Sequence, residues 1–230
     1  KTAEIGMILT ERVARGRGDR ILIVTPRHVL EQTQQEMWVR FSLPFVRLDS
    51  VGIQRVRQQL PASRNPFAVY RRVIISIDTL KSDRYLTALR QQRWDAVVID
   101  EAHNLANSDT LNNRLARTLA EHTDALILAS ATPHNGDPHS FAELIRLLDP
   151  SAVPPKGVLD PHGPVQREDL RRLVVRRHRN SHEVAEEVGA EWRPREDPIN
   201  ITVPASPAED AVAMELQDTW LFPQGSSPSA

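Results

Sequence analysis

The sequence contains no cysteine among its 230 residues. This absence excludes disulfide bonds, thiolate zinc sites and cysteine nucleophiles together. The formal net charge is −1, so binding to nucleic acid would have to come from a local basic patch rather than from overall attraction. No signal peptide is visible and no apolar run approaches the length of a membrane span. We therefore expect a cytoplasmic protein with no membrane partner.

The proportions of apolar and charged residues, 40% and 26%, are ordinary for a globular chain and exclude no class. The length fits one large domain, or one domain and part of another. Prolines are unevenly placed, because 11 of the 17 lie in the last 81 residues. This change of composition predicts that the first domain ends near residue 150.

The most informative stretch is residues 94–103, Trp-Asp-Ala-Val-Val-Ile-Asp-Glu-Ala-His. Residues 96–99 show no polar alternation, which is typical of a strand buried on both faces of a parallel sheet. Asp100 and Glu101 follow at the C-terminal end of this strand, where open α/β sheets bind ligands. Magnesium-dependent phosphoryl transfer needs one group to hold the metal and another to orient water, and these two carboxylates could supply both. The alternative is a solvated acidic turn.

Lys1-Thr2 stands directly before a helical pattern with Ile5, Leu9 and Val13 on one face. A phosphate-binding loop ends in Gly-Lys-Ser/Thr and runs straight into such a helix, whose N-terminal amides favour an anion. Only the last two residues of that loop are present here. The alternative is a surface lysine beside a helix cap.

Short apolar segments alternate with helical patterns along the first 130 residues. This alternation favours stacked βαβ units, so we predict an α/β fold with a parallel sheet covered by helices on both faces. The predicted strands are residues 21–25, 45–49, 73–77, 96–99 and 125–129, and a helix is predicted near 110–122.

Four motifs in this order resemble the first RecA-like motor lobe of a superfamily 2 helicase. They are Lys1-Thr2, Thr25-Pro26-Arg27, the DEAH box Asp100-Glu101-Ala102-His103, and Ser130-Ala131-Thr132-Pro133.

Further residues narrow the resemblance to the Swi/Snf-type ATPases. Pro133-His134-Asn135 and the pair Arg176-Arg177 resemble that group. Residues 4–9 and 65–67 are similar to its bacterial branch, which includes the RNA-polymerase-associated recycling ATPase and helicase-like subunits of phage-defence systems. His134 and His139 have no recognised zinc spacing, so we interpret them as surface histidines.

The resemblance implies ATP and Mg²⁺ as cofactors and a role for each residue of the nucleotide site. Lys1 would contact the β- and γ-phosphates, and Thr2 would ligate magnesium through its hydroxyl. Asp100 would hold the same magnesium, while Glu101 would orient and deprotonate the hydrolytic water.

The resemblance also implies residues that couple ATP to nucleic acid. His103 would lie at the interface between lobes, and Ser130 and Thr132 would link the nucleotide site to the nucleic-acid groove. Residues 25–27 and 79–81 match segments that touch the nucleic-acid backbone. Within these segments the residues expected to contact nucleic acid are Arg27, Thr79 and Lys81. For Arg27 and Lys81 the alternative is a charged side chain that is merely solvated.

By the same resemblance, residues 1–150 would form the ATP-binding lobe, 151–198 a Pro/Arg-rich brace or linker, and 199–230 the entrance to a second lobe. Arg176 and Arg177 would brace the two lobes. The glycine-rich loop before Lys1, its strand and the second lobe with its arginine finger are absent. We therefore expect a fragment of a two-lobed motor that is inactive alone and whose sheet lacks a central strand.

The implied function is a DNA-dependent ATPase that couples hydrolysis to translocation along duplex DNA. Its expected partners are DNA, the second motor lobe of the same parent chain and a protein partner in a larger complex. Its expected location is the bacterial cytoplasm, near the nucleoid. Two alternatives stay open: a nucleotide- or DNA-binding interaction module that does not hydrolyse ATP, and a strand-separating RNA helicase.

Overall fold

The computed structural model describes residues 1–61, 64–80, 83–108, 110–133, 138–154, 159, 170–177, 181–189 and 203–221. The chain divides into two compact units, Lys1–Val175 and Arg176–Ala230.

The first unit is built on a parallel sheet of five strands, in the order β2-β3-β1-β4-β5. The predicted α/β fold with a parallel sheet is therefore confirmed. The strands are β1 Ile21–Thr25, β2 Val46–Arg47, β3 Arg72–Ser76, β4 Ala96–Asp100 and β5 Leu126–Ala129. The helices are α1 Thr2–Ala14, α2 Leu30–Phe41, α3 Ser50–Gln59, α4 Pro66–Val69, α5 Ile77–Leu80, α6 Asp83–Arg90, α7 Leu111–Glu121 and α8 Pro138–Leu148.

Helices cover both faces of this sheet, as predicted. On one face, Ile5 and Leu9 of α1 and Met37 of α2 pack against Ile23 and Val98. On the other face, apolar residues of α3, α4, α6, α7 and α8 pack against alternate residues of the same strands. All five residues of β1 are buried, because parallel strands in such a fold are covered on both sides.

Two strands differ from their predicted bounds because a polar residue caps the helix that follows. Asp49 lies in the predicted strand 45–49, yet its side chain accepts a hydrogen bond from the Gly52 amide at 2.6 Å and begins α3. Ser76 likewise accepts from the Thr79 amide at 3.2 Å, so Ile77 begins α5 instead of ending β3. Capping residues at such positions favour the start of a helix over extension of a strand.

The expectation of a missing central strand is wrong for the strands that the structure describes. β4 pairs directly with β1 on one side and with β5 on the other. All four residues of β5 are half-buried, since this strand lies at an edge of the sheet.

Residues after 150 contribute to the first unit. Phe141 and Ile145 of α8 form a small apolar cluster with Val153 and Leu159, against which Leu173 packs. The domain boundary near residue 150 stays a prediction.

The second unit contains α9, His182–Val188, and α10, Pro207–Glu215, which continues into a π-helical segment, Leu216–Leu221. Ser206 and Glu209 form a reciprocal capping box at the start of α10. The assignments of 151–198 and 199–230 stay predictions. Within the described ranges, no helix has both the length and the apolar character needed to cross a membrane.

Candidate functional site

The carboxyl ends of the strands meet at one edge of the sheet, and the site is built there. β1 ends in Thr25, β3 in Ser76 and β4 in Asp100. Because the strands are parallel and in register, these three residues lie side by side. The arrangement matches the place where open α/β sheets bind ligands.

Lys1 reaches this edge from the start of α1. Its ammonium nitrogen lies 3.4 Å from Oδ1 of Asp100 and donates a hydrogen bond to Oε1 of Glu101. Residues 100 positions apart in sequence therefore form one charged cluster. The structure thus brings the predicted Lys1, Asp100 and Glu101 together, and their roles at a phosphate site stay predictions.

The cluster is partly shielded from solvent. The exposed fraction is 32% for the Lys1 side chain, 12% for Asp100 and 29% for Glu101. Partial burial alone lowers the pKa of Lys1, but the hydrogen bond to Glu101 and the two carboxylate charges outweigh it, so this pKa is raised. Two carboxylates against one ammonium leave the cluster one negative charge in excess, which favours a cation.

The backbone turns sharply immediately after β4. Glu101 has φ 51° and ψ 46°, the left-handed region that side-chain-bearing residues rarely adopt. Its amide donates to Oδ1 of Asp100 at 2.9 Å, and its carbonyl accepts from the Asn104 amide at 3.1 Å. The short 3₁₀ helix Ala102–Leu105 follows. Such strain persists where surrounding contacts fix it, and it is common at functional sites.

The residues predicted to couple the site form a continuous chain of contacts from Glu101. Nδ1 of His103 lies 3.3 Å from Oε2 of Glu101 and 3.4 Å from Oγ of Ser130. Oγ of Ser130 in turn accepts from the Thr132 amide at 3.1 Å. The structure therefore joins the DEAH segment to the end of β5 through side chains.

The structure describes two of the three residues that were predicted to contact nucleic acid. Arg27 is exposed in the 3₁₀ turn after β1, and the Thr79 hydroxyl hydrogen-bonds Ser76 at 2.8 Å. Lys81 lies outside the described residues. Thr25 is fully buried, so its side chain cannot touch a nucleic acid in this structure. Their roles stay predictions, as does the brace assigned to Arg176 and Arg177, which are exposed.

The oxygen donors at this edge suit magnesium. Asp100 offers a carboxylate, and Thr2 offers a hydroxyl in the first turn of α1, next to Lys1. Across the described ranges, no group of three or more histidine or acidic side chains could hold a metal by itself. A magnesium ion here would therefore take its remaining ligands from water and phosphate, which is its usual preference.

One buried residue that supports the site was not predicted. Asn113 of α7 is fully buried, donates to the Leu105 carbonyl at 2.7 Å and accepts from Arg117 at 2.7 Å. It thereby fastens the 3₁₀ turn after Glu101 to α7. The sequence signal that could have identified it is an asparagine three residues before Ala116, on the apolar face that helical periodicity predicts for α7.

Comparison with known proteins identifies similar chains. The SNF2-related domain family matches residues 3–156. The RNA polymerase-associated protein RapA of Sodalis glossinidius is 39% identical over 155 residues, which are 66% of this chain and 16% of that protein. RapA of Yersinia enterocolitica is 38% identical over 154 residues, 65% of this chain and again 16% of the relative. The chain therefore spans about a sixth of the length of these relatives.

A solved structure has the same fold. The Sulfolobus solfataricus SWI2/SNF2 ATPase core, determined in complex with dsDNA, superposes with a TM-score of 0.60 at 18% identity. The match covers 81% of this chain and 40% of that one. The sheet described above is thus the RecA-like fold of such a core.

Proposed function

This chain belongs to the SNF2-related domain family, which confirms the Swi/Snf resemblance. From that premise we propose that the chain is the ATP-binding lobe of a DNA-dependent motor. In this proposal, ATP hydrolysis drives translocation along duplex DNA. The observation that carries it is the contact of Lys1 with both Asp100 and Glu101 at the carboxyl edge of the sheet.

The Lys1 ammonium and the two carboxylates would change their contacts when a nucleotide binds. Lys1 now neutralises part of the charge on Asp100 and Glu101. Phosphate oxygens would compete for its ammonium and release the Asp100 carboxylate to hold Mg²⁺ together with Thr2. When bound, the metal neutralises charge on the phosphates during phosphoryl transfer.

Glu101 is the proposed general base. Once Lys1 turns to the phosphates, the Glu101 carboxylate is free to orient the attacking water and accept its proton. The left-handed backbone fixes the direction in which this side chain leaves the strand. His103 lies 3.3 Å from the second oxygen of the same carboxylate and thus links it to Ser130 and Thr132.

Duplex DNA is the proposed nucleic acid. Support comes from family membership and from the Sulfolobus solfataricus SWI2/SNF2 ATPase core, which was solved in complex with dsDNA. Arg27 follows β1 and Thr79 follows β3, at the edge that carries Asp100, which supports a contact of these residues with a nucleic-acid backbone. The overall charge of −1 leaves this contact to such local groups.

The proposal includes protein partners. A second motor lobe would complete the nucleotide site, with Arg176 and Arg177 bracing the two lobes. The name of the bacterial relatives places them with RNA polymerase, and a related assembly in the bacterial cytoplasm is proposed for this protein.

The test is ATP turnover by the full natural polypeptide, measured without nucleic acid and then with duplex DNA, single-stranded DNA and duplex RNA. We expect duplex DNA to stimulate at least as well as single strands, and binding to weaken steeply with salt because phosphates dominate. Triplex-strand displacement then reports translocation. Stimulation by RNA alone would favour the RNA helicase, and nucleotide binding without turnover would favour the interaction module.

A further inference from the structure

Thr25 carries a buried hydroxyl without a hydrogen-bond partner. The residue is 0% exposed, and its Oγ1 is one of three buried side-chain polar atoms that lack a partner among the described residues. The other two belong to Arg12, which donates to the Asp95 carbonyl through Nη2, and to Trp94, whose ring lies under the Arg20 guanidinium. Arg12 thus has part of its polar group engaged, whereas Thr25 and Trp94 each have their one side-chain polar group unpaired among the described residues. Of these two, Thr25 is the one that lies at the carboxyl edge of the sheet, where β1 and β4 end.

The position of Thr25 places it beside the candidate magnesium carboxylate. Val24 lies opposite Ile99 in the register of β1 and β4, so Thr25 is the neighbour of Asp100 at the end of the two strands. Adjacent strands lie about 4.8 Å apart, a separation that a hydroxyl and a carboxylate can bridge.

Thr25 and Asp100 also share a face of the sheet. Ile23 and Val98, two residues earlier on each strand, both pack in the cluster that contains Ile5 of α1. Side chains alternate along a strand, so Thr25 and Asp100 point to this same face. It is the face from which Lys1 approaches Asp100.

The neighbour on the other side is already engaged. Thr25 pairs with Ser76 across β1 and β3, but the Ser76 hydroxyl bonds the Thr79 hydroxyl at 2.8 Å and accepts from the Thr79 amide. Among the described residues, both contacts to the Asp100 carboxylate fall on one oxygen, Oδ1. A carboxylate accepts about four hydrogen bonds and a hydroxyl about two, so Asp100 has more acceptor capacity left for Thr25 than Ser76 has.

We propose that Thr25 is a positioning residue that donates a hydrogen bond from its hydroxyl to the carboxylate of Asp100 when that carboxylate holds the metal of the bound nucleotide. The inference rests on the proposed function. Leaving a buried hydroxyl unpaired lowers stability, and such a cost is typical where a group serves the ligand-bound state. Thr25 is followed by Pro26 and the exposed Arg27, so the same hydrogen bond links the metal site to the segment proposed to touch DNA.

The test compares Thr25→Val, which keeps the shape and removes the hydroxyl, with Thr25→Ser, which keeps the hydroxyl. Both are made in the full natural polypeptide. One readout is unfolding by urea without ligand. The other is binding of Mn²⁺ in the presence of ADP, followed by electron paramagnetic resonance, which requires no turnover.

Thr118→Val is the matched control. Thr118 is buried on α7, and its hydroxyl donates to the Arg114 carbonyl at 3.1 Å. It lies one turn before His122, whose carbonyl accepts from the Trp94 amide at the opposite end of β4 from Asp100. Removing this satisfied hydroxyl should lower the urea midpoint and leave Mn²⁺ binding unchanged.

We expect Thr25→Val to leave the urea midpoint unchanged or raised and to weaken Mn²⁺ binding with ADP about 10-fold, the usual effect of losing a group that orients a metal ligand. Thr25→Ser should restore most of that affinity. If Thr25→Val lowers the urea midpoint as Thr118→Val does and leaves Mn²⁺ affinity unchanged, the hydroxyl is structural and the inference fails alone. If the wild-type protein binds no Mn²⁺ with ADP, the proposed function fails and the inference with it.

Discussion

Replacing Glu101 by alanine and by glycine separates its backbone strain from the loss of its carboxylate. Both variants remove the contacts with Lys1 and His103. They differ only in the Cβ atom at φ 51° and ψ 46°. The difference in their free energies of unfolding therefore reports the cost of holding a side-chain-bearing residue in the left-handed region.

The magnitude follows from two opposing effects. The left-handed conformation costs an L-residue about 1–2 kcal/mol, which glycine avoids. Glycine loses more chain entropy on folding, worth about 0.5–1 kcal/mol relative to alanine. We therefore expect Glu101→Gly to be more stable than Glu101→Ala by roughly 0.5–1 kcal/mol.

Arg114 supplies a control with the opposite sign. It is exposed within α7, where glycine is less favourable than alanine by about 1 kcal/mol. Arg114→Gly should thus be the less stable of its pair. The assay is urea titration followed by circular dichroism, with thermal melting as a second measure at about 2–4 °C per kcal/mol for a chain of this size.

The same glycine and alanine should rank in opposite order at positions 101 and 114. If Glu101→Ala equals or exceeds Glu101→Gly in stability while the Arg114 pair behaves as expected, the turn after β4 is not strained.

Three further predictions concern stability. Gly52→Ala should cost about 1–3 kcal/mol in urea titrations, because its Cβ would overlap the Arg47 carbonyl oxygen, a backbone atom that no rotamer change can move. Asn113→Leu should cost about 1–3 kcal/mol and speed amide exchange after Glu101, because the Leu105 carbonyl loses its donor. Because the pKa of Lys1 is raised, its ion pair contributes its full stability below the ordinary pKa of 10.5 and loses it as pH rises through the folded-state pKa. Above pH about 10.5 the wild type should therefore lose stability faster than Lys1→Met, as measured by urea midpoints over a series of pH values.

The sheet could be predicted because each of its long strands is an uninterrupted apolar segment. Residues 21–25 and 96–99 are buried on both faces, so their composition alone marks them. The ends of β2 and β3 could not be predicted as well, because Asp49 and Ser76 act as helix caps through hydrogen bonds that only the folded chain defines.

The order of strands could not be predicted from composition. The expectation of a gap in the sheet came from the missing strand of the resemblance and not from any property of these residues. β4 in fact pairs with β5 through Asp100 and Ala129, which places the DEAH segment beside the Ser130 segment.

The candidate site was predictable as a set of residues but not as a geometry. Lys1, Asp100 and Glu101 stand at helix and strand ends that meet at one edge of a parallel sheet. The left-handed backbone of Glu101 and the unpaired hydroxyl of Thr25 depend on a turn and on strand register. Neither feature can be recognised from the sequence alone.

The most direct test of the proposed nucleotide site is Glu101→Gln, with nucleotide affinity and ATP turnover measured separately in the full natural polypeptide. Glutamine keeps the size and polarity of the side chain but cannot accept the proton of the attacking water. We expect nearly unchanged affinity for magnesium-ATP, because Lys1, Thr2 and Asp100 are intact, and loss of most turnover with duplex DNA present. Turnover equal to that of the wild type would contradict the assignment of Glu101, and with it the site proposed at the end of β4.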